Sequence, residues 1–365
     1  MKPRPGDHRP LLLFGNRDGS LSANRVRDMR AAVFPETGPA SVLRLVDRGL
    51  PLAAAGEVRV RIVLSAVNPT DTGTRAGRGV PDGVAPPRVP NQDGAGVVDA
   101  LGEGVSDLEP GDRVWVWDAG FGRANGTAQE YVVLPRHQVV RMNDDIPFEV
   151  GADLGIPALT AHRCLTLATD GPARLVPGAL DGRTVLVAGG AGAVGNAAIQ
   201  LAKWAGATVL TTVSTKEKAA LALAAGADAV IDYREEDVAA RVRELSPGGP
   251  NVIVEVNTAN LDLDLDVIAP GGNIAIYVGG KFSVPSFKAM LKNVSLDFVL
   301  TYTTTPEQKA NAVAAVAEAA NTGAFRVGEE AGLPIIRFPL DRVAEAHEAV
   351  ENHAVGKVVI EVTAP

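Results

Sequence analysis

The sequence has one cysteine, Cys164, in 365 residues. A single thiol excludes an intrachain disulfide and any multi-cysteine zinc or iron–sulfur site. A basic excess is also missing. Lys and Arg total 35 against 43 Asp and Glu, a formal net charge of −8, whereas nucleic-acid binding wants a basic face. No apolar run approaches the ~18 residues that would span a membrane. The longest such run near the N-terminus is Leu11–Phe14, too short for the core of a secretory signal. The expectation is a cytoplasmic protein with no membrane and no nucleic acid among its partners.

What is present is a globular composition, 46% hydrophobic and 21% charged, long enough for two domains. Residues 1–28 mix Arg, Asp and Pro without periodicity and are expected to form a disordered extension. From Arg30 to about Gly155, short strands such as Glu57–Ala66 and Gly96–Leu101 alternate with Gly/Pro turns, which reads as a β-rich unit. From Thr184 the rhythm becomes strand, helix, strand, helix. Thr184–Ala188 reads as a buried parallel strand, Asn196–Ala205 as a helix and Leu296–Tyr302 as a sixth strand. That alternation predicts an α/β doubly wound parallel sheet.

Gly190-Ala191-Gly192-Ala193-Val194-Gly195 fits G-x-G-x-x-G. Among 39 glycines the pattern alone is weak. Its place between an apolar strand and a helix makes it a dinucleotide signature. The first glycine is expected to permit the tight turn, the second to admit the pyrophosphate, and the third to pack helix on strand. The helix N-terminus would offer N–H groups to the phosphates. At the end of the next strand, Ser214 and Thr215 stand where a site for NAD places an acid. Those hydroxyls with Lys218 suit the 2′-phosphate of NADPH. Glu217 is the ambiguity there.

These residues resemble the zinc-independent medium-chain dehydrogenases/reductases of the zeta-crystallin-like NADPH:quinone oxidoreductase group. The marks are Val67-Asn68-Pro69-Thr70-Asp71, Asp93-Gly94-Ala95-Gly96-Val97-Val98, Gly111-Asp112-Arg113-Val114, Leu159-Thr160-Ala161, Gly226-Ala227-Asp228 and Gly356-Lys357-Val358-Val359. The resemblance runs from Met29 to about Val362. It implies a GroES-like catalytic domain (29–156 with 325–365), a Rossmann NADP-binding domain (157–324), and a cleft between them. It also implies a homodimer joined at the edge strand of the Rossmann sheet.

Carried over by resemblance, the 2′-phosphate contacts fall on Ser214, Lys218 and Tyr233, with His353 where some members place an arginine. Ala193 and Val194 would line the pyrophosphate turn, and Asn257 would lie near the adenosine. Tyr277, Val278, Gly279, Leu300 and Thr301 would lie near the nicotinamide. Asn68 and Thr160 are expected beside it as catalytic groups, together with Asp71, whose plainer reading is a turn-capping acid. The positions that hold zinc in metal-dependent relatives correspond to Asn68, Gln92 and Ile156, so no metal is expected. Many members carry tyrosines where Gly73 and Gly79 stand here, which leaves the donor to the substrate unassigned.

The function expected is hydride transfer from NADPH to a small-molecule acceptor. A ketone yields an alkoxide that needs a strong acid or a metal. A quinone yields an aromatic hydroquinone anion, for which donors such as Asn68 would suffice. Quinones therefore rank first, and enals, enones or enoyl thioesters second. A non-catalytic NADPH-binding structural or redox-sensing protein is the reading from another class.

Overall fold

A computed structural model describes residues 28–365. The expected disordered extension thus lies outside the described residues, save Asp28, which opens the strand Asp28–Val33.

The α/β half contains a six-stranded sheet in which every neighbouring pair is parallel. Its order is Ala229–Asp232, Thr208–Val213, Thr184–Ala188, Val252–Glu255, Asn273–Ile276, Ser295–Phe298. The central strands read as continuous apolar runs because both faces are covered. Val185 and Val187 enter one core cluster, and Leu186 enters another on the opposite face. The order reverses between Thr184–Ala188 and Val252–Glu255. A crevice opens outside the strand ends at such a point.

Two expected boundaries are corrected. The helix after the glycine motif begins at Ala193, not Asn196, and ends at Trp204. The glycine turn itself delivers the chain into the helix, with Gly192 extended at its N-cap position. The sixth strand stops at Phe298 rather than Tyr302. The chain then curls into a short 3-10 turn, Thr301–Thr303. Thr301 and Tyr302 find polar partners away from the sheet, Lys309 for the first and Thr70 for the second.

The other half is a seven-stranded path in the order Ile335–Pro339, Lys357–Glu361, Glu57–Ala66, Asp93–Leu101, Arg113–Val116, Val139–Arg141, with Tyr131–Pro135 also paired to Glu57–Ala66. The end of the chain thus returns to the first half, where Lys357–Glu361 runs antiparallel to Glu57–Ala66. This return places Lys357 beside the segment that follows Ala66. No helix of the described residues is long and apolar enough to cross a membrane.

Candidate active site

A cleft of about 470 Å³ lies between the two halves. One wall comes from Asn68, Thr70, Ile156 and the stretch His353–Val358. The other comes from the glycine turn, Ser214, Lys218, Tyr233, Tyr277, Val278, and Leu300 to Tyr302. Thr160 reaches it from the helix Leu159–Leu165.

At the nucleotide end the tight turn belongs to Gly189, whose φ is +71, one residue ahead of the expected Gly190. Gly190 instead packs on the sheet: a Cβ there would lie 2.2 Å from Thr211 Oγ1. Gly195 sits in the first turn of the helix, where a Cβ would meet the Gly189 carbonyl oxygen at 2.3 Å. A side chain at either position would push helix and strand apart. Ala191, Gly192, Ala193 and Val194 line the cleft here and leave the start of the helix open to a phosphate.

Lys218 Nζ donates to Ser214 Oγ at 3.2 Å, and the half-exposed Tyr233 lines the same corner. Thr215 is placed otherwise than expected. It caps the helix Lys216–Ala224, accepting from the Lys218 backbone N–H at 3.2 Å. Glu217 is held by its own backbone N–H and then by the Thr215 hydroxyl, which keeps its carboxyl below the ordinary range. The one acid in this stretch is thereby drawn back onto the helix start. Asn257 caps a short 3-10 turn through Ala259 N–H, and neither it nor Gly279 lines the cleft. His353 lines it with left-handed φ of +57.

Beneath the opposite end lies a buried polar network. Asn68 Nδ2 donates to Asp71 Oδ2 at 3.1 Å and to Asp93 Oδ2 at 2.7 Å, and its Oδ1 accepts from Lys357 Nζ at 2.8 Å. Lys357 also lies 3.4 Å from Asp153. Asp93 Oδ2 accepts the Ile156 N–H at 2.9 Å, which the irregular turn Leu154–Ala158 presents to it. Three carboxyls thus surround one ammonium out of water, and a fully ionised set would be costly. Burial accordingly pushes Asp71 up to about 8, with the Asp93 charge adding to it. Burial likewise raises Asp93 to about 6 and Asp153 to about 7, against the opposing pull of Lys357.

Two expectations change here. Both amide hydrogens of Asn68 are engaged, so the amide expected to serve the acceptor is spent inside the protein. Asp71 takes its plainer role. With Asn68 it forms a capping box at the helix Pro69–Arg75, accepting the Asn68 backbone N–H at 2.7 Å. Sequence reasoning assigned no role to Asp93, Asp153 or Lys357. The usable signal was a lysine directly ahead of the aliphatic run Val358, Val359 and Ile360, since lysine is almost never fully buried without partners.

At the positions that hold zinc in metal-dependent relatives, Asn68 is engaged as described, Gln92 Oε1 accepts the Gly120 N–H at 2.9 Å, and Ile156 is aliphatic. Among the described residues, no group of three or more His, Cys, Asp or Glu is placed to hold a metal ion.

Comparisons with known proteins agree with this architecture. The alcohol dehydrogenase GroES-like domain family matches residues 54–144, and the zinc-binding dehydrogenase family matches residues 193–318. A quinone oxidoreductase of Lama guanicoe is 32% identical over 343 residues, 92% of this chain and 98% of its own. A mycobacterial protein solved in complex with NADPH is 32% identical with a TM-score of 0.74, over 91% of this chain and 99% of that one. An NAD-dependent alcohol dehydrogenase structure is 28% identical with a TM-score of 0.80, over 92% and 100% of the two chains. The chain belongs to the medium-chain dehydrogenase/reductase family, in its zinc-independent, zeta-crystallin-like quinone oxidoreductase group.

Proposed function

We propose that this protein is an NADPH-dependent oxidoreductase that reduces a quinone without a metal. The observation that carries the reading is the cleft itself. A glycine cradle stands at one end with Lys218, which has no ion-pair partner among the described residues, and a site built from amide, hydroxyl and aliphatic groups stands at the other. Gly192, Ala193 and Val194 would hold the pyrophosphate, and Ser214, Lys218 and Tyr233 the 2′-phosphate. Bound there, NADPH supplies a hydride. Thr160, Tyr277 and Leu300 orient the reacting ring, and the apolar lining limits water around it. The quinone reading follows from the donors. Neutral hydroxyls suit a hydroquinone anion, whereas a simple ketone would require a stronger acid than this wall offers.

The same reading divides the chain into a catalytic unit, 29–156 with 325–365, and a cofactor unit, 157–324. The division is supported by which strands share a sheet. The single cysteine fits a cytoplasmic location, and the acceptor is a small molecule. We further propose a homodimer formed at the edge strand Ser295–Phe298. Phe298 (62% exposed) lies against Phe282, and the preceding helix Ser286–Lys292 exposes Phe287 and Leu291 (both 70%) one turn apart. An uncovered edge of this kind invites pairing. The experiment is NADPH oxidation by the purified protein with benzoquinone, phenanthrenequinone, an enal and an enoyl thioester in parallel. Quinone turnover that survives a chelator is expected. Activity lost to the chelator and restored by zinc, or confined to the enal or thioester, overturns the reading.

A further inference from the structure

We propose that Tyr302 is a catalytic residue. On this inference its phenol O–H donates to the acceptor oxygen that becomes anionic as hydride arrives. The inference rests on reading the cleft as an NADPH:quinone site.

The argument starts from which donors at the acceptor end are free to serve. Asn68 has given both amide hydrogens to Asp71 and Asp93. The half-buried Tyr277 stands on the nucleotide-side wall and packs against the core cluster there, and burial, with Cys164 and Glu255 nearby, raises its phenol above the ordinary range. Thr70, Thr160 and Thr301 carry only alcohol hydrogens, weaker acids than a phenol. Tyr302 remains. It lines the cleft beside Thr70, and its O–H is parked on Thr70 Oγ1 at 3.1 Å. That is a bond between two neutral hydroxyls, worth about 1 kcal/mol net. Rotation about the phenol C–O bond exchanges it for an acceptor oxygen.

The ring itself is held. It stacks on Phe121 with centroids 4.5 Å apart and an interplanar angle of 8°. A donor fixed by packing before the reaction is worth more than one that must be ordered during it. Burial, with the Asp71 charge next, raises the phenol above its ordinary range, so it stays protonated. In the reaction a ring carbon conjugated with the carbonyl takes the hydride with its electron pair, and the displaced π electrons settle on the carbonyl oxygen. Tyr302 keeps its proton and stabilises that oxygen by hydrogen bonding. Water then protonates that oxygen, and transfer of the new ring C–H proton through water to the second oxygen completes the aromatic hydroquinone.

The test compares single-turnover rates of wild type, Tyr302→Phe and Thr70→Val with benzoquinone and with tetramethylbenzoquinone. The electron-rich quinone gives the more basic anion and leans harder on a donor. Removing one preorganised oxyanion donor costs roughly 10²–10³ where the anion is strongly basic. For Tyr302→Phe, a fall of about tenfold or more is expected with tetramethylbenzoquinone and a smaller one with benzoquinone. The phenylalanine keeps the stack on Phe121, and unchanged NADPH affinity checks the fold. Thr70→Val should lose less than Tyr302→Phe, because the acceptor replaces Thr70 as the phenol's partner. No loss in Tyr302→Phe, equal fractional losses with both quinones, or an equal loss in Thr70→Val overturns the inference. The last outcome would mean that the Tyr302–Thr70 bond acts only as a link between the two halves. A wild type inactive with both quinones overturns the functional reading instead, and the inference with it.

Discussion

Asp71→Asn should flatten the dependence of stability on pH. Asp71 is buried, 2% exposed, and its Oδ2 accepts from the Asn68 backbone and side chain while Oδ1 has no partner among the described residues. Burial first, and the Asp93 charge second, lift its carboxyl to about 8. An acid with a raised native pKa holds a proton that the unfolded chain has already released. Its contribution to stability is therefore complete below the unfolded value and drains away as pH rises through the native one. The window runs from about pH 4 to about pH 8. Each unit within it is worth about 1.4 kcal/mol, so the three units from about pH 5 to about pH 8 set a ceiling of about 4 kcal/mol. The value of about 8 already includes the pull of Lys357, and rearrangement of the neighbouring acids relieves part of the rest, which leaves about 2–4 kcal/mol. Asparagine has the shape of the protonated acid and no proton to lose. Its oxygen still accepts both Asn68 hydrogens, so the helix cap survives. Urea unfolding of wild type and variant at the two pH values measures the effect. The variant should lose less stability on going to high pH. Parallel losses in the two proteins would show that Asp71 is ionised in the fold and that the charge arithmetic of the network is wrong.

Lys218→Ala should weaken NADPH binding by about one to two powers of ten, the worth of one charge-assisted hydrogen bond at roughly 1.5–3 kcal/mol, and barely touch NADH. Titration of both cofactors decides this, and equal losses would mean the phosphate site is misplaced. Light scattering at micromolar concentration should find a dimer, and Phe298→Lys should yield a monomer by placing a charge on the edge strand. A monodisperse wild-type monomer would refute that interface.

The local features of the chain carried much of the outcome. Apolar runs alternating with helices determine a parallel sheet, because only strands covered on both faces are apolar throughout, as Val185 to Val187 are. The glycine spacing after Thr184–Ala188 located the nucleotide turn, since bare backbone at Gly195 is a local requirement of close helix–strand packing. Ser214 and Lys218 at the strand end were legible for the same reason, as neighbours in sequence that are neighbours in space. Contacts between distant segments were not legible. Asn68 and Lys357 are 289 residues apart, and only the return of the last strand to the first sheet makes the lysine the partner of that amide. The sequence marked Asn68 as a donor to the acceptor. The tertiary structure spent its hydrogens on Asp71 and Asp93, because a buried ammonium and three buried carboxyls must be satisfied before any substrate is. Tyr302 read as the end of a strand. Its hydroxyl lies 232 residues from Thr70 along the chain, and folding alone brought the two together across the cleft, where a half-buried phenol needs a polar partner.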